Sequence, residues 1–317
     1  MVYEPYKRRA SASQLNMLHA CKRKWYYSYI LKIKEPKRNH LLKGSLIHSV
    51  AENFHQLDIQ RAGIHEDDYE IKFRAYAWKV FDEQLDKPQE YFGKVLPSIK
   101  EDLQELYPNE LEYAIEIADA KGMIKTFMDT FLRGFAVQFK KYKNIRQAWY
   151  VSRPKFLEYD LKSEDAVGFI DEVIEKDGET IIVDLKSSQM YKTMFSVENY
   201  RQLKLYAYLY WLQTGKFASY GIVKFVRFGS EICYPFDESI IKEMENELQW
   251  YKDITATKDI EKYPMNLEHT FCTCEGATKE KNRGKGWCFY ADMCNETLTV
   301  EPIPNIKGTT QLFEDEE

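Results

Sequence analysis

The sequence predicts an α/β core with a helical elaboration, and three features of its pattern indicate this class. Helical periodicity dominates the chain up to about residue 143. Two segments rich in β-branched and aromatic residues, "RQAWYVSRPKFLEYDL" and "DAVGFIDEVIEKDGETIIVDLKSS", then predict strands. A helix in "VENYRQLKLYAYLYWLQTG" and two more strands in "FASYGIVKFVRFGSEICYPF" complete an order typical of an α/β sheet.

Local signals place the predicted elements along the chain. Ser11 and Ser13 are candidate N-caps of a helix through "QLNMLHACKRKWYYSYILKI", and "KGSLIHSVAENFHQL" predicts a second helix. Residues 67–143 form a predicted helical insertion, broken near two prolines. Asp177-Gly178 predicts a hairpin turn, and Gly215 ends the later helix. We interpret residues 1–317 as one domain with a flexible acidic tail from about residue 306.

The composition predicts a soluble, cytoplasmic protein. The longest apolar runs, such as "YAYLYWL", are too short to span a bilayer, and no targeting segment is visible. Thiols stay reduced in that compartment, so four cysteines within residues 272–294 indicate metal rather than disulfides. No Walker-type phosphate loop is present, which argues against an intrinsic helicase motor.

The charge is unevenly distributed, although the 45 Lys+Arg and 50 Asp+Glu nearly balance. Glu4 and Glu35 are the acids among residues 1–43, which carry eleven basic residues: Lys7, Arg8, Arg9, Lys22, Arg23, Lys24, Lys32, Lys34, Lys37, Arg38 and Lys43. Residues 139–146 and 279–285 form two smaller basic patches. These patches predict contacts with the phosphates of nucleic acid, with solvated surface as the alternative.

Two acids and a lysine converge at the predicted strand ends. Asp171 lies in the apolar strand "GFID", while Asp184 and Lys186 alternate at the end of "IIVDLKSS" and therefore share one sheet face. Carboxylates gathered in this way repel each other unless a cation neutralises them, and oxygen ligands favour Mg²⁺ or Mn²⁺. Each motif alone is also compatible with a surface ion pair.

Four motifs in order resemble those of RecB-type nucleases of the PD-(D/E)XK superfamily. They are "GSLIHSVAE", "VGFIDEV", "IIVDLKSS" and "YRQLKLYAYL". The resemblance implies a restriction-endonuclease-like core, a mixed sheet flanked by helices. It implies metal ligation by His48, Asp171, Asp184 and the carbonyl of Leu185, with Lys186 as the catalytic lysine. Gln202 and Tyr206 would orient the site, with Glu52 and Glu158 as supporting carboxylates.

The cysteines resemble the iron-sulfur branch of these nucleases, which includes AddB-type and CRISPR-associated RecB-like exonucleases. By that resemblance Cys21, Cys272, Cys288 and Cys294 would bind a [4Fe-4S] cluster that joins the two ends of the chain, with Cys274 the alternative to Cys272. The insert at residues 275–287 departs from the family's spacing. A four-thiolate Zn²⁺ site is therefore the alternative. Cys233, in a predicted strand, is expected to be a core thiol.

The resemblance implies a metal-dependent DNA nuclease, an exonuclease on single strands or duplex ends in recombination, repair or replication. The resemblance also implies recombination or replication proteins as partners. One alternative is a DNA-end-binding subunit with a structural metal cluster and little nuclease activity. Another is an RNA or nucleotide hydrolase on the same scaffold. The complete catalytic set favours the nuclease.

Overall fold

A mixed five-stranded sheet forms the centre of the larger of two compact units in this computed structural model, Lys37–Glu245. The structure describes residues 8–36, 38–91, 93–176, 178–188, 196–269, 272, 274 and 288–295. The strands lie in the sheet in chain order: β3 (Phe156–Lys162), β4 (Val167–Lys176), β5 (Glu179–Lys186), β6 (Tyr220–Phe225) and β7 (Ser230–Pro235). The predicted α/β class is confirmed.

Strand direction sets the edge at which polar side chains meet. The β4–β5 pair is antiparallel and the β5–β6 pair is parallel, with helix α8 (Ser196–Thr214) between β5 and β6 in the chain. A parallel pair needs such a crossover because its strands run in the same direction. Since parallel strands end at the same edge, the carboxyl ends of β5 and β6 lie side by side.

Helix α8 packs against β3, β4, β5 and β6. Other helices pack on the face of the sheet that carries Val183 and Leu185, and they bury the main core of the larger unit. Phe54 and Phe73 are fully buried among aromatic rings, and this core reaches the sheet through Val183 and Leu185. The helices of the unit that precede the sheet are α3 (Asn39–His55), α4 (Tyr69–Asp86), α5 (Ile99–Leu106), α6 (Glu110–Tyr142) and α7 (Ile145–Ser152).

Two segments of the larger unit differ from the sequence prediction. The helical insertion contains a small hairpin, β1 (Pro88–Tyr91) and β2 (Lys94–Ser98), which turns at Gly93 with φ of 71°. The extended structure expected for "RQAWYVS" is wrong, because this segment is α7. The Asn144 side chain accepts a hydrogen bond from the Gln147 amide and caps the helix, and tertiary burial of Trp149 outweighs the strand-like pattern.

The described residues of the smaller unit lie within Met1–Pro36 and Asn246–Glu317. Ser11 caps its first helix, as expected, by accepting from the Gln14 amide at 3.3 Å. The single helix predicted over this region is instead broken at Cys21, whose extended φ of −163° separates two helices. The elements are α1 (Ala12–Ala20), α2 (Lys22–Trp25), a π-helix (Tyr26–Ile30), the end of α9 (Ser239–Thr255), a 3-10 turn (Ile260–Lys262) and α10 (Ala291–Asn295).

Aromatic side chains form the core of the smaller unit. The Trp25 and Tyr263 rings stack at 5.6 Å and 8°, and Tyr251 meets Trp25 edge-on at 6.1 Å. Such pairs add to the free energy gained from area burial. The prediction of one domain over residues 1–317 stays a prediction. Within the described ranges, no helix is both long enough and apolar enough to cross a membrane.

Candidate active site at the edge of the sheet

The ends of β4 and β5 position the central acids. Regular pairing of the two strands stops at Glu172 and Val183, and beyond that point the Asp171 carboxylate accepts a hydrogen bond from the Leu185 amide at 2.6 Å. The side chain thus takes the place of a strand carbonyl. This bond fixes one carboxylate oxygen of Asp171 and leaves the other available to a second group.

Helix α3 supplies a histidine to the same place. His48 Nδ1 lies 3.1 Å from Asp171 Oδ1. Burial lowers the pKa of His48, but the hydrogen bond and charge of Asp171, with the charge of Asp184, outweigh it and raise this pKa to about 9. The imidazole therefore carries a proton at neutral pH when no cation competes for the carboxylates.

Glu158 completes a donor group with His48 and Asp171, although the family resemblance implies only a supporting role for this carboxylate. Donor atoms of His48, Glu158 and Asp171 all lie within 4.8 Å of one another, which suits a metal ion. Glu158 has a φ of 43°, in the left-handed region that non-glycine residues rarely adopt. The neighbouring pairs are Leu157 with Glu172 and Tyr159 with Ile170, so the irregularity falls opposite Asp171.

Burial and neighbouring carboxylates raise the pKa of Glu158. Burial raises this pKa most, and the charges of Asp171 and Glu52 add to the effect, bringing it to about 7. Glu52 lies one helical turn after His48 and accepts a hydrogen bond from Gln56 at 3.3 Å. A divalent cation would relieve the repulsion between these carboxylates. The donor set of one imidazole and several carboxylates therefore fits Mg²⁺ or Mn²⁺.

Asp184 and Lys186 lie beside this group and form a network with helix α8. Lys186 Nζ lies 2.9 Å from Asp184 Oδ2 and donates to Gln202 Oε1 at 2.9 Å. Gln202 Nε2 donates to Asp184 Oδ1 and to the Tyr206 hydroxyl, both at 2.8 Å. One amide thus holds the acid and the lysine in fixed positions. Burial raises the pKa of Asp184, although the Lys186 charge opposes this shift.

A close contact explains the glycine of the "VGFIDEV" motif. A Cβ atom added to Gly168 would lie 2.7 Å from Tyr206 Cε1, far inside van der Waals contact. The absence of a side chain lets the α8 ring lie directly on β4. Burial also raises the pKa of Tyr206 strongly, so its hydroxyl remains protonated and can act as a hydrogen-bond partner.

The structure therefore brings together the residues proposed for catalysis, with one difference in grouping. His48 and Asp171 are in the tight donor group with Glu158, while Asp184 lies next to it, bound to Lys186 and Gln202. Leu185 enters through its amide, and ligation by its carbonyl stays a prediction. No sequence pattern predicts that Glu158 lies beside His48 and Asp171, because this position depends on an irregular backbone conformation in β3.

Five thiols converge in the smaller unit. The Cys274 thiol makes hydrogen-bonding contacts with Cys288, Cys294 and Cys272, and Cys21 interacts electrostatically with Cys294. The contact with Cys288 alone would lower the pKa of Cys274, but the contact with Cys294 and burial raise it. Such soft donors fit either zinc or an iron-sulfur cluster. The basic insert 275–287 and the acidic tail lie outside the described residues.

Cys233 does not belong to the core, so that expectation is wrong. It lies in the predicted strand, β7, but this strand is at the edge of the sheet and its side chains alternate between partly exposed and exposed.

Two basic residues of the N-terminal segment are buried and do not form an exposed basic surface. Arg23 and Lys43 are 5% and 2% exposed, respectively, and Lys43 Nζ lies 2.6 Å from Glu116 and 2.5 Å from Asp119. Arg227 also pairs with Asp119 and thereby joins this network to the chain that follows β6. The charges of Lys43 and Arg227 hold elements of the larger unit together. The patch at 279–285 lies outside the described residues.

Comparison with known proteins identifies a family. The family model of the PD-(D/E)XK nuclease superfamily matches residues 9–295. A comparison with curated protein sequences found no match. Among solved structures, one titled "Putative exonuclease" from Eubacterium rectale is similar with a TM-score of 0.42 and 11% sequence identity. The match covers 81% of this chain and 84% of that chain.

Proposed function

Because the chain belongs to the PD-(D/E)XK nuclease superfamily, we propose that it is a divalent-metal-dependent DNA nuclease. It hydrolyses phosphodiester bonds and acts as an exonuclease on single strands or duplex ends, in recombination, repair or replication. The observation that carries this proposal is the metal-suited group of His48, Glu158 and Asp171 next to the Asp184–Lys186 pair.

Each residue of the site has a distinct role in this proposal. His48, Glu158 and Asp171, with Asp184 beside them, would hold Mg²⁺ or Mn²⁺. The ion would supply positive charge for a phosphate oxygen and the developing leaving group. Lys186 donates hydrogen bonds from a fixed position to the attacking water or the phosphate. Gln202 holds the Lys186 amino group and the Asp184 carboxylate in place, and Tyr206 in turn holds Gln202.

The cysteines form a separate, structural metal centre in this proposal. The contacts of Cys274 with three other thiols favour it over Cys272 as a ligand, together with Cys21, Cys288 and Cys294. This choice reverses the sequence-based preference for Cys272, which follows directly on Phe271 at the end of an apolar segment. A [4Fe-4S] cluster is the proposed occupant, with Zn²⁺ as the alternative. Anaerobically purified protein should be brown and contain about four iron per chain in the first case.

A cleavage assay tests the proposed enzyme. Purified protein is incubated with end-labelled single-stranded and double-stranded DNA, with Mn²⁺, with Mg²⁺ or with neither. Wild-type protein should release nucleotides from an end only with metal, and Lys186→Ala should abolish cleavage while DNA binding remains. Lys216→Ala, which removes a partly exposed lysine from an ion pair with Glu175, is the matched control and should cleave normally.

The products separate this proposal from its alternatives. Binding of DNA ends with no metal-dependent product would indicate an end-binding subunit instead. Cleavage of RNA or free nucleotides in preference to DNA would indicate an RNA or nucleotide hydrolase that uses the same site. Undiminished cleavage by Lys186→Ala would contradict the assigned role of the lysine.

A further inference from the structure

A buried arginine lies next to the cysteines. Arg23 follows Cys21 by two residues in α2, is 5% exposed, and donates from Nε to the Tyr263 carbonyl at 2.7 Å. Among the residues that the structure describes, no carboxylate forms an ion pair with its guanidinium. A backbone carbonyl accepts a hydrogen bond but does not neutralise the charge. Within the described ranges, the Arg23 charge is therefore buried without a counter-ion.

The guanidinium contacts the thiol cluster through a tyrosine. The Tyr27 hydroxyl makes side-chain hydrogen-bonding contacts with Arg23 and with the Cys294 thiol. The same hydroxyl donates to the Met293 carbonyl at 3.3 Å, which ties it to the turn that carries Cys294. The Arg23 amide donates to the Pro264 carbonyl at 3.3 Å. The arginine is thus held by the Tyr263 and Pro264 carbonyls and by Tyr27.

A buried charge lowers the stability of the folded protein unless an opposite charge lies nearby. Neutral thiols do not supply one, but four thiolates around Zn²⁺ carry a net charge of about −2. A [4Fe-4S] cluster with four cysteine ligands is likewise anionic in its common oxidised state. A metal-loaded thiolate centre would therefore provide the counter-charge that Arg23 lacks among the residues with described positions.

We propose that Arg23 is the counter-charge of a thiolate-bound metal centre formed by the clustered cysteines, and that it strengthens metal binding there. This inference rests on the proposed metal centre of the cysteines and is independent of the nuclease chemistry. Arg23 acts as a positioning and charge-compensating residue. It would not touch the metal directly, but would act on the thiolate ligands of the metal through its charge and through Tyr27.

The test measures metal retention and stability in full-length, anaerobically purified protein. Metal per chain is followed by elemental analysis during titration with EDTA, and thermal unfolding is recorded for loaded and metal-stripped samples. Arg23→Gln should lose its metal at least about tenfold more readily, as outer-shell changes commonly do. Arg23→Lys, which keeps the charge, should recover most of the retention. Lys22→Gln, at the neighbouring position of α2, is the control.

The sign of the stability change separates charge compensation from a merely structural role. Arg23→Gln should lower the unfolding temperature of the loaded protein, but leave it unchanged or raise it after metal removal, because an unpaired buried charge is then absent. Equal destabilisation of both forms, or metal retention equal to wild type, would overturn the inference. If Arg23→Gln does not fold, Arg23→Lys is compared with Cys288→Ser. The inference would also be overturned if Arg23→Lys retained no more metal than Cys288→Ser.

Wild-type protein without thiol-bound metal would refute the metal centre itself, and the role of Arg23 with it. Metal retained equally by wild type and Arg23→Gln would refute only the role of Arg23. Neither result bears on metal-dependent DNA cleavage by the carboxylate site.

Discussion

The carboxylate site and the cysteine site differ in how much of their geometry the secondary structure holds. Most carboxylate-site residues project from long elements: the 17-residue α3, β4, β5 and the 19-residue α8. In contrast, Cys21 lies at a break between two helices and Cys294 lies in a five-residue helix. Helices this short are marginal without tertiary support.

This difference indicates two relations between metal and folding. The carboxylate site is assembled by strand pairing and helix packing, so a metal ion would occupy a geometry that already exists. The cysteine site has little regular structure of its own, so the free energy of metal binding would contribute directly to folding of the smaller unit. Removing metal from the two proposed sites should therefore have opposite consequences for activity and stability.

The largest expected effect is on catalysis, with little change in stability. Asp171→Asn keeps an oxygen that can accept from the Leu185 amide but removes a charge from the metal group. We expect DNA cleavage and Mn²⁺ binding to fall by about 100-fold or more, with an almost unchanged unfolding temperature. Asp160→Asn, which removes an exposed acid from β3, is the control. A large loss of stability in Asp171→Asn would show that the site is not preformed.

The second prediction reverses this pattern in the cysteine site. Cys274→Ser should release the thiol-bound metal and lower the unfolding temperature by about 5 °C or more, since each kcal/mol corresponds to about 2–4 °C in proteins of 150–250 residues. Cys233→Ser, on the exposed edge strand, should change neither. Calorimetry with metal analysis measures both. Equal unfolding temperatures for the two variants would break the contrast between the sites.

The third prediction concerns pH and the carboxylate site. In the metal-free protein the pKa is about 7 for Glu158 and about 9 for His48, and both groups must be deprotonated to bind metal. Below about pH 7 two protons must be displaced, and between about pH 7 and 9 only the His48 proton. Mn²⁺ affinity should therefore rise with pH, by about tenfold per unit for each displaced proton.

Calorimetric titration of Mn²⁺ from pH 6 to pH 9 measures this dependence. Glu158→Gln should bind more weakly at pH 8 and lose the steeper slope below about pH 7. If the pH dependence of Mn²⁺ affinity were the same in Glu158→Gln as in wild type, Glu158 would not be a metal ligand. The ligands would then be centred on Asp171 and Asp184.

The smallest expected effect tests how Gln202 is supported. Tyr206→Phe removes one neutral hydrogen bond, of about 1 kcal/mol, and keeps the ring that packs on Gly168. Cleavage should fall by about fivefold, with metal affinity unchanged. Tyr208→Phe on the same helix is the control. A loss comparable to that of Lys186→Ala would mean that the tyrosine has a direct role on the substrate.

Much of the carboxylate site was predictable from sequence because strand alternation is a local property. The two-residue spacing of Asp184 and Lys186 places them on one face, and the four-residue spacing of Gln202 and Tyr206 does the same on α8. His48 was predicted through its motif. The closeness of Glu158 to His48 and Asp171 could not be predicted, because it accompanies a left-handed backbone conformation that no residue type requires at that point.

By itself, the sequence determined the α/β class, most of the helices and strands, and the residue types available for the two proposed metal sites, because periodicity and capping act over a few residues. Only the tertiary structure decided that "RQAWYVS" is helical, that Cys233 is exposed at a sheet edge, and that Arg23 and Lys43 are buried. These outcomes depend on contacts between segments far apart in the chain. Burial and charge pairing arise from such contacts, which local sequence patterns do not specify.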